Sequence, residues 1–254
     1  MNESYLEYYM DMDGKLSKRS FLQSFKVVTF AGIKFTFDRL FAVVGLIIAA
    51  PLMLIIAIAI KIDSKGDVLF KQVRTGKNGK NFTMYKFRTM VQSNDVHDFK
   101  KSDEHTRVGK ILRKTSLDEL PQLFSIATGK MSFIGPRPWI TDYYENMNNE
   151  QRHRNDVRPG LTGLAQVMGR NNLTIFDKIS YDIEYVNNYS LKMDIKVIFL
   201  TIKTVLSRTG AELSKSGIHD ELKELHDNYL YVTGKQPVIT EEQLRQYEES
   251  KLNS

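Results

Sequence analysis

The sequence predicts an α+β, helix-rich fold: a re-entrant (monotopic) membrane helix hairpin, a small β-hairpin and interfacial amphipathic helices. Three observations predict it. Leu40 to Ile60 is an uncharged apolar run with Pro51 at its centre. Alternating apolar residues flank Asn78-Gly79. Lysines line one face of the otherwise apolar stretch Leu191 to Leu206. The expected division is an N-terminal extension over 1–33, the membrane helix over 34–61, a main domain over 62–208 and an acidic extension over 209–254.

Composition narrows the function classes. None of the 254 residues is cysteine, which excludes disulfides and thiol-ligated metals and suits a reducing compartment. One large or two small domains fit the length. Lys and Arg total 36 against 30 Asp and Glu, a formal net charge of +6. Such a balance suits an anionic partner: nucleic acid, anionic lipid or a phosphorylated substrate. Acids outnumber bases from about Asp220 onward, so the body of the chain is more basic than the total.

Residues 1–20 are polar, as in a tail or an accessory helix. Asp11-Met12-Asp13 has the D-x-D spacing with which many nucleotide-sugar transferases hold a metal. No buried-strand pattern precedes it, so it reads as a charged tail. The first long apolar run begins near residue 40, too far in for a cleavable signal peptide.

As a helix, Leu40 to Ile60 would be about 30 Å long, enough to span a bilayer once. Two features favour re-entry instead. Pro51 removes a backbone hydrogen bond mid-run and bends the helix. Lys26, Lys34 and Arg39 precede the run and Lys61, Lys65, Lys71 and Arg74 follow it, whereas a span is basic on one side. The helix is therefore expected to break at Ala50-Pro51 and return to the face it entered.

Val68 to Arg74 and Phe82 to Arg88 read as a β-hairpin with a tight turn at Asn78-Gly79. It carries Lys71, Arg74, Lys77, Lys80, Lys86 and Arg88 and no acid. No nucleic-acid-binding motif accompanies these bases, so lipid headgroups or phosphate substrates explain them better. Residues 91–107 are polar and read as a mobile connection.

The chemistry centres on Arg113-Lys114-Thr115-Ser116-Leu117-Asp118-Glu119-Leu120-Pro121. Proline fits a helix only in its first turn, so Pro121 places a helix start near Asp118, an N-cap candidate. The free N–H groups of such a start would seat a phosphate. Alternatively, Ser116-x-x-Glu119 is a capping box and both acids serve the helix dipole. The helix should end near Thr128-Gly129.

Ile134-Gly135-Pro136-Arg137-Pro138 holds an arginine between two prolines, presenting its guanidinium for bidentate phosphate contact at little entropic cost. Residues 141–157 read as a polar helix. Arg158 to Arg170 supplies glycines for close backbone approach, but matches neither a Walker loop nor a dinucleotide fingerprint. Ile175, Ile179, Ile183 and Val186 recur at helical spacing and should face the core. In Leu191 to Leu206, Lys192, Lys196 and Lys203 fall within about 40° of one another. Such a helix suits a membrane interface or, alternatively, a globular core. For the acidic extension the expected role is a regulatory or oligomer contact.

In order, these pieces resemble the monotopic phosphoglycosyl transferases of bacteria, the bacterial sugar transferase family. The matching segments are the proline-containing apolar helix, Lys86-Phe87-Arg88-Thr89-Met90, Thr115 to Gln122, Ser132 to Pro138, Arg158-Pro159-Gly160-Leu161-Thr162-Gly163, and Tyr181-Asp182-Ile183-Glu184-Tyr185-Val186 leading into Tyr189-Ser190. The likeness covers about residues 34–208. The family usually breaks its membrane helix at Ser-Pro, where this chain has Ala50-Pro51.

The resemblance implies transfer of a sugar 1-phosphate from a UDP-sugar to polyprenyl (undecaprenyl) phosphate, with release of UMP, Mg²⁺ and a covalent enzyme intermediate. The reaction would open capsule, exopolysaccharide or glycoconjugate synthesis on the cytoplasmic face of the bacterial inner membrane. Partners would be the two substrates, anionic membrane lipids and a second copy in a homo-oligomer, but not nucleic acid. Asp118 is then the nucleophile, and Glu119 a metal ligand shared with it. Arg113, Arg137 and Arg170 are phosphate clamps with Lys86 and Arg88 in support; Pro136, Arg158, Thr162, Gly163 and Gln166 complete the substrate-binding set. Two rivals stand beside this reading. A membrane-anchored scaffold of polysaccharide assembly would make no UMP, and a metal-dependent glycosyltransferase using Asp11 and Asp13 would release UDP.

Overall fold

A computed structural model describes residues 8–10, 16–18, 21–91, 105–169, 173–206 and 220–225. Near the amino end, β1 (Tyr8–Met10) and β2 (Leu16–Lys18) pair antiparallel, with Tyr8 opposite Lys18. A hairpin thus replaces the expected tail or accessory helix; tyrosines favour strands over helices. Asp11 and Asp13 lie outside the described residues.

The long helix α1 (Phe21–Asp63, 43 residues) crosses both boundaries drawn at 33/34 and 61/62. It is long and apolar enough to cross a membrane. The break expected at Ala50-Pro51 does not interrupt it: Pro51 lies inside one helix. Proline removes one backbone hydrogen bond, while Leu46 before it and Met53 and Ile56 after it pack on the body. Both halves dock on the same body. Ala42 and Leu46 meet Leu123, Ile126 and Met84; Ile56 and Ile60 meet Phe87 and Leu112. The opposite side of α1 is bare, Ile48 being 74% exposed.

The exit from α1 is tied down. Arg88 donates to the carbonyls of Ser64 and Lys65 (2.9 and 2.7 Å), and Oδ2 of Asp63 accepts from Val108 N (2.9 Å). The hairpin forms as expected from β3 (Leu69–Thr75) and β4 (Asn81–Phe87), Thr75 opposite Asn81. A 3₁₀ turn at Lys77–Gly79 joins them, with Asn78 and Gly79 left-handed at φ 55° and 72°. Asparagine and glycine carry that conformation at least cost. Most of the expected mobile connection, 92–104, lies outside the described residues.

Next come α2 (Arg107–Thr115), capped by Thr106, then a 3₁₀ turn at Leu117–Glu119, and α3 (Gln122–Ala127), ending at left-handed Gly129. Strand β5 (Ser132–Ile134) pairs parallel with β6 (Gly160–Thr162). Gly135, Gly160 and Gly163 let the backbones meet: a Cβ on Gly160 would lie 2.1 Å from Gly135 N. The polar helix expected over 141–157 is instead α4 (Thr141–Glu145), α5 (Asn149–Arg152) and a 3₁₀ turn at His153–Asn155. Its polar residues are buried partners rather than a wet face: His153, Arg154, Asn155 and Asp156 are all buried.

After α6 (Leu164–Met168), α7 (Ile175–Asn187) starts with a Thr174–Asp177 capping box and buries Ile175, Ile179 and Val186 as expected. Helix α8 (Leu191–Leu206) buries Met193 and Val197 but leaves Phe199 69% exposed, so it is no core helix. A short helical segment at 220–225 packs against α4 and α7.

Candidate active site

The chain leaves α2 through Ser116, left-handed at φ 58°, and enters the 3₁₀ turn at Leu117–Glu119. Leu117 and Leu120 pack toward α1 beside Ile56, Ile60 and Leu112. Asp118, expected as an N-cap, lies inside the 3₁₀ turn; α3 begins after Pro121, and neither cap position has a side-chain hydrogen bond. The Ser116–Glu119 capping box does not form either.

The two acids have different surroundings. Oε1 of Glu119 accepts from Nζ of Lys86 at 2.6 Å and from Nη2 of Arg137 at 3.1 Å. Burial works to raise the pKa of Glu119, but Arg137 and Lys86 overcome it and hold the group at about 2. Lys86 is lowered by burial and by Arg137, with Glu119 opposing. Asp118 has no hydrogen bond to another side chain among the described residues. Burial raises its pKa; Lys86 opposes, Glu119 adds to the rise and Arg113 opposes weakly. Asp118 is therefore the uncommitted carboxylate, and Glu119 is spent on cations.

The loop after β5 presents Arg137. Pro136 and Pro138 have no N–H, and each carbonyl from 136 to 139 is held by the body. Gly160 N donates to Pro136 O (2.9 Å), Nη2 of Arg154 to Arg137 O (2.8 Å), Nη1 of Arg74 to Pro138 O (3.4 Å) and Thr75 N to Trp139 O (2.9 Å). Arg154 is itself fixed by Asp182 (2.6 Å) and by stacking over Trp139 (3.8 Å). Arg74 is lowered to about 10, by burial first and then by Arg137, while Tyr143 and Glu119 pull it up. It adds a half-buried cation to the site.

The remaining expected residues are not all gathered there. Nη1 of Arg113 contacts the His105 ring (3.2 Å) while its charge reaches Asp118. Arg88 is occupied by Ser64 and Lys65. Arg158 donates to Gly129 O (3.0 Å) and lies over Phe35 (4.0 Å). That is the far end of α3 from the carboxylates, about 9 Å of helix away. Thr162 bonds Thr201 of α8 (2.9 Å), Gly163 packs on Gly135, and Nε2 of Gln166 donates to Leu161 O (3.0 Å). Arg170 lies outside the described residues.

Sequence reading missed Arg74, Arg154 and Asp182. Arg74 stands out in the sequence only as one of several bases flanking the apolar run and lining the hairpin. Asp182 was visible inside the quoted Tyr181–Val186 motif, but its partner was not. For a metal, the residues offer two adjacent oxygen donors; among the described residues no group of three or more His, Cys, Asp or Glu forms a cage. Two carboxylates fit Mg²⁺, which takes one or two from protein and completes its shell with water and phosphate oxygens.

Asp118, without a side-chain hydrogen bond among the described residues, and the ion-paired Glu119 thus stand among guanidinium and ammonium groups, a set with the chemistry to hold a phosphate. The chain belongs to the bacterial sugar transferase family, whose model matches residues 29–208. It is 42% identical over 187 residues to a galactosyl transferase, CpsE, of Streptococcus agalactiae serotype III (strain NEM316), covering 67% of this chain and 41% of that protein. It is 41% identical over 187 residues to a UDP-glucose:undecaprenyl-phosphate glucose-1-phosphate transferase of Xanthomonas campestris pv. campestris, covering 68% and 39%. Against the sugar transferase EpsL of Bacillus subtilis (strain 168) the identity is 38% over 182 residues, covering 71% and 90%. The chain thus spans less than half of the first two relatives and most of the third.

Proposed function

We propose that this protein transfers a sugar 1-phosphate from a UDP-sugar to polyprenyl phosphate through a covalent intermediate on Asp118. The observation that carries the reading is the division of labour between the acids: among the described residues Glu119 is ion-paired twice and Asp118 has no ion pair. The name of the Xanthomonas relative, a UDP-glucose:undecaprenyl-phosphate glucose-1-phosphate transferase, supports the same reaction class.

A carboxylate oxygen of Asp118 attacks the β-phosphorus of the donor. The bond from that phosphorus to the bridging oxygen breaks, and UMP leaves with the electron pair. An oxygen of polyprenyl phosphate then attacks the same phosphorus and frees the Asp118 carboxylate, giving polyprenyl diphosphate sugar. Like-charge repulsion opposes both attacks, so Arg137, Lys86, Arg74 and Arg113 stabilise charge on the transferring group. Asp118 and the second oxygen of Glu119 would hold Mg²⁺, which when bound neutralises diphosphate charge.

Membrane seating follows from the apolar surfaces. The body packs on α1 on both sides of Pro51, and bases flank the run at both ends, which supports a monotopic arrangement with both ends cytoplasmic. The bare faces of α1 and α8 would lie in lipid, their lysines among anionic headgroups.

The test is UMP release. Asp118→Asn should abolish it, and wild-type enzyme quenched mid-turnover should carry a phosphosugar adduct on Asp118. UMP release at the normal rate from the variant would exclude the mechanism. The chain has no cysteine, so Ser20→Cys and Lys65→Cys can each be labelled cleanly. Both should be blocked only by reagents that reach the cytoplasm.

A further inference from the structure

The segment at 220–225 lies beyond the family match, which ends at residue 208. It is nevertheless built into the body. Leu225 is fully buried in a cluster with Ile140, Tyr143, Met147, Ile175 and Ile179. Glu221 is buried too and joins two helices: the Tyr143 hydroxyl of α4 donates to its Oε2 (2.7 Å), and Nζ of Lys178 on α7 to its Oε1 (2.6 Å). A buried carboxylate is tolerated only with such partners, so the segment is held in one register.

Tyr143 is one contact from the loop that carries Arg137. Its ring lies against Trp139, centroids 4.9 Å apart. Trp139 lies beneath the Arg154 guanidinium at 3.8 Å, and Arg154 holds Arg137 O at 2.8 Å. One continuous stack therefore runs from Glu221 to the backbone that presents a guanidinium to Glu119. Arg74, whose charge is felt by both Tyr143 and Arg137, lies beside the same stack.

We infer that Glu221 is a positioning residue for donor binding: by fixing Tyr143 it fixes Trp139 and the Pro136–Pro138 loop, which makes the segment at 220–225 part of the phosphate-gripping apparatus. The inference rests on the reading of Arg137 as a donor-phosphate ligand. The Tyr143 hydroxyl has its acceptor in Glu221, so losing that acceptor frees the ring and, with it, the face on which Trp139 rests.

Trp139 is the single tryptophan of the chain, so its fluorescence reports on the loop whether or not the enzyme turns over. The experiment compares full-length Glu221→Ala, Tyr143→Phe and Glu221→Gln in detergent micelles. Glu221→Ala should red-shift Trp139 emission, increase its quenching by acrylamide and raise KM for UDP-sugar about tenfold, the loss of one charge-assisted hydrogen bond. Its kcat should stay within about twofold. Tyr143→Phe keeps the ring and should move the same readouts less. Glu221→Gln still accepts from Tyr143 and should restore them toward wild type. A lower melting temperature in Glu221→Ala with Trp139 emission and KM unmoved would overturn the inference, because the segment would then only pack. Absence of UMP from wild-type enzyme would sink the proposed function instead, and the Trp139 response together with equilibrium binding of UDP-sugar to wild type and Glu221→Ala would still decide this one.

Discussion

Nζ of Lys86 lies 2.6 Å from Oε1 of Glu119, while among the described residues the adjacent carboxylate of Asp118 receives no cation at hydrogen-bonding distance. Adjacent residues of a tight turn point in different directions. Lys86 on β4 and Arg137 after β5 converge on one acid, and the other is the one we propose as the nucleophile.

The pH dependence of turnover should show this. Burial sets the direction for Asp118, upward from the ordinary 3.8, with Lys86 opposing and Glu119 adding. In the proposed mechanism Asp118 must be ionised to attack, so the acidic limb of kcat/KM for UMP release should lie above 3.8. In the residual activity of Lys86→Gln the limb should move to higher pH, and in that of Glu119→Gln to lower pH. Movement in the opposite sense in either variant contradicts the assignment.

Glu119 makes an opposite contribution to stability. Its folded pKa, about 2, lies below the ordinary 4.5, so its stabilisation is present above 4.5 and is lost as the pH falls toward 2. The amount is on the order of 3 kcal/mol. Urea unfolding at a series of pH values should show the loss in wild type. Lys86→Gln, in which Arg137 still faces Glu119, should lose less over that window.

Behind the loop, Asp182 and Arg154 should matter for folding more than for binding. The pair is 2% exposed on each side, and leaving one buried charge unpaired costs about 3–5 kcal/mol. Asp182→Asn should lower urea-denaturation stability by that amount. Arg137 has 46% of its side chain exposed, so Arg137→Ala should leave stability within about 1 kcal/mol. The same variant should weaken UDP-sugar binding while membrane association persists.

Gly135→Ala should fail for a different reason. The new Cβ would lie 2.3 Å from the carbonyl oxygen of Arg158, where backbone cannot yield cheaply. Separating β5 from β6 costs at least about 1–3 kcal/mol and displaces Arg137. Gly32→Ala, which meets nothing within 4 Å, is the matched control in a thermal melt.

Phe199→Glu should weaken vesicle binding without abolishing it, because Phe199 stands on the bare face of α8 while the apolar face of α1 is unchanged. A sedimentation assay reads this directly. UMP release in detergent should survive the change.

What was legible in the sequence was what local chemistry dictates. Asn78-Gly79 announced a turn because both residues tolerate positive φ, and the α8 boundaries followed from its periodicity. The carboxylate pair and Arg137 were visible because their neighbours are prolines and bases. Polarity, by contrast, does not reveal partners. The stretch 141–157 read as a wet helix because Arg154 looks like Arg152 until Asp182, far along the chain, is placed against it. Asp118 read as an N-cap because Pro121 marks a helix start without saying that a 3₁₀ turn precedes it. Arg88 and Arg158 carry the charge expected of phosphate ligands, yet backbone carbonyls take them up.

Because α1 is docked at two stations, Ala42–Leu46 and Ile56–Ile60, on either side of its proline, its middle is phase-locked. Adding or deleting one residue between Leu46 and Met53 would turn the second station by about 100° relative to the first. Side-chain identity there is free to vary, since almost any apolar residue would suit a lipid-facing position. Residue number is not, and the spacer acts as a ruler whose length sets the rotation of the whole body.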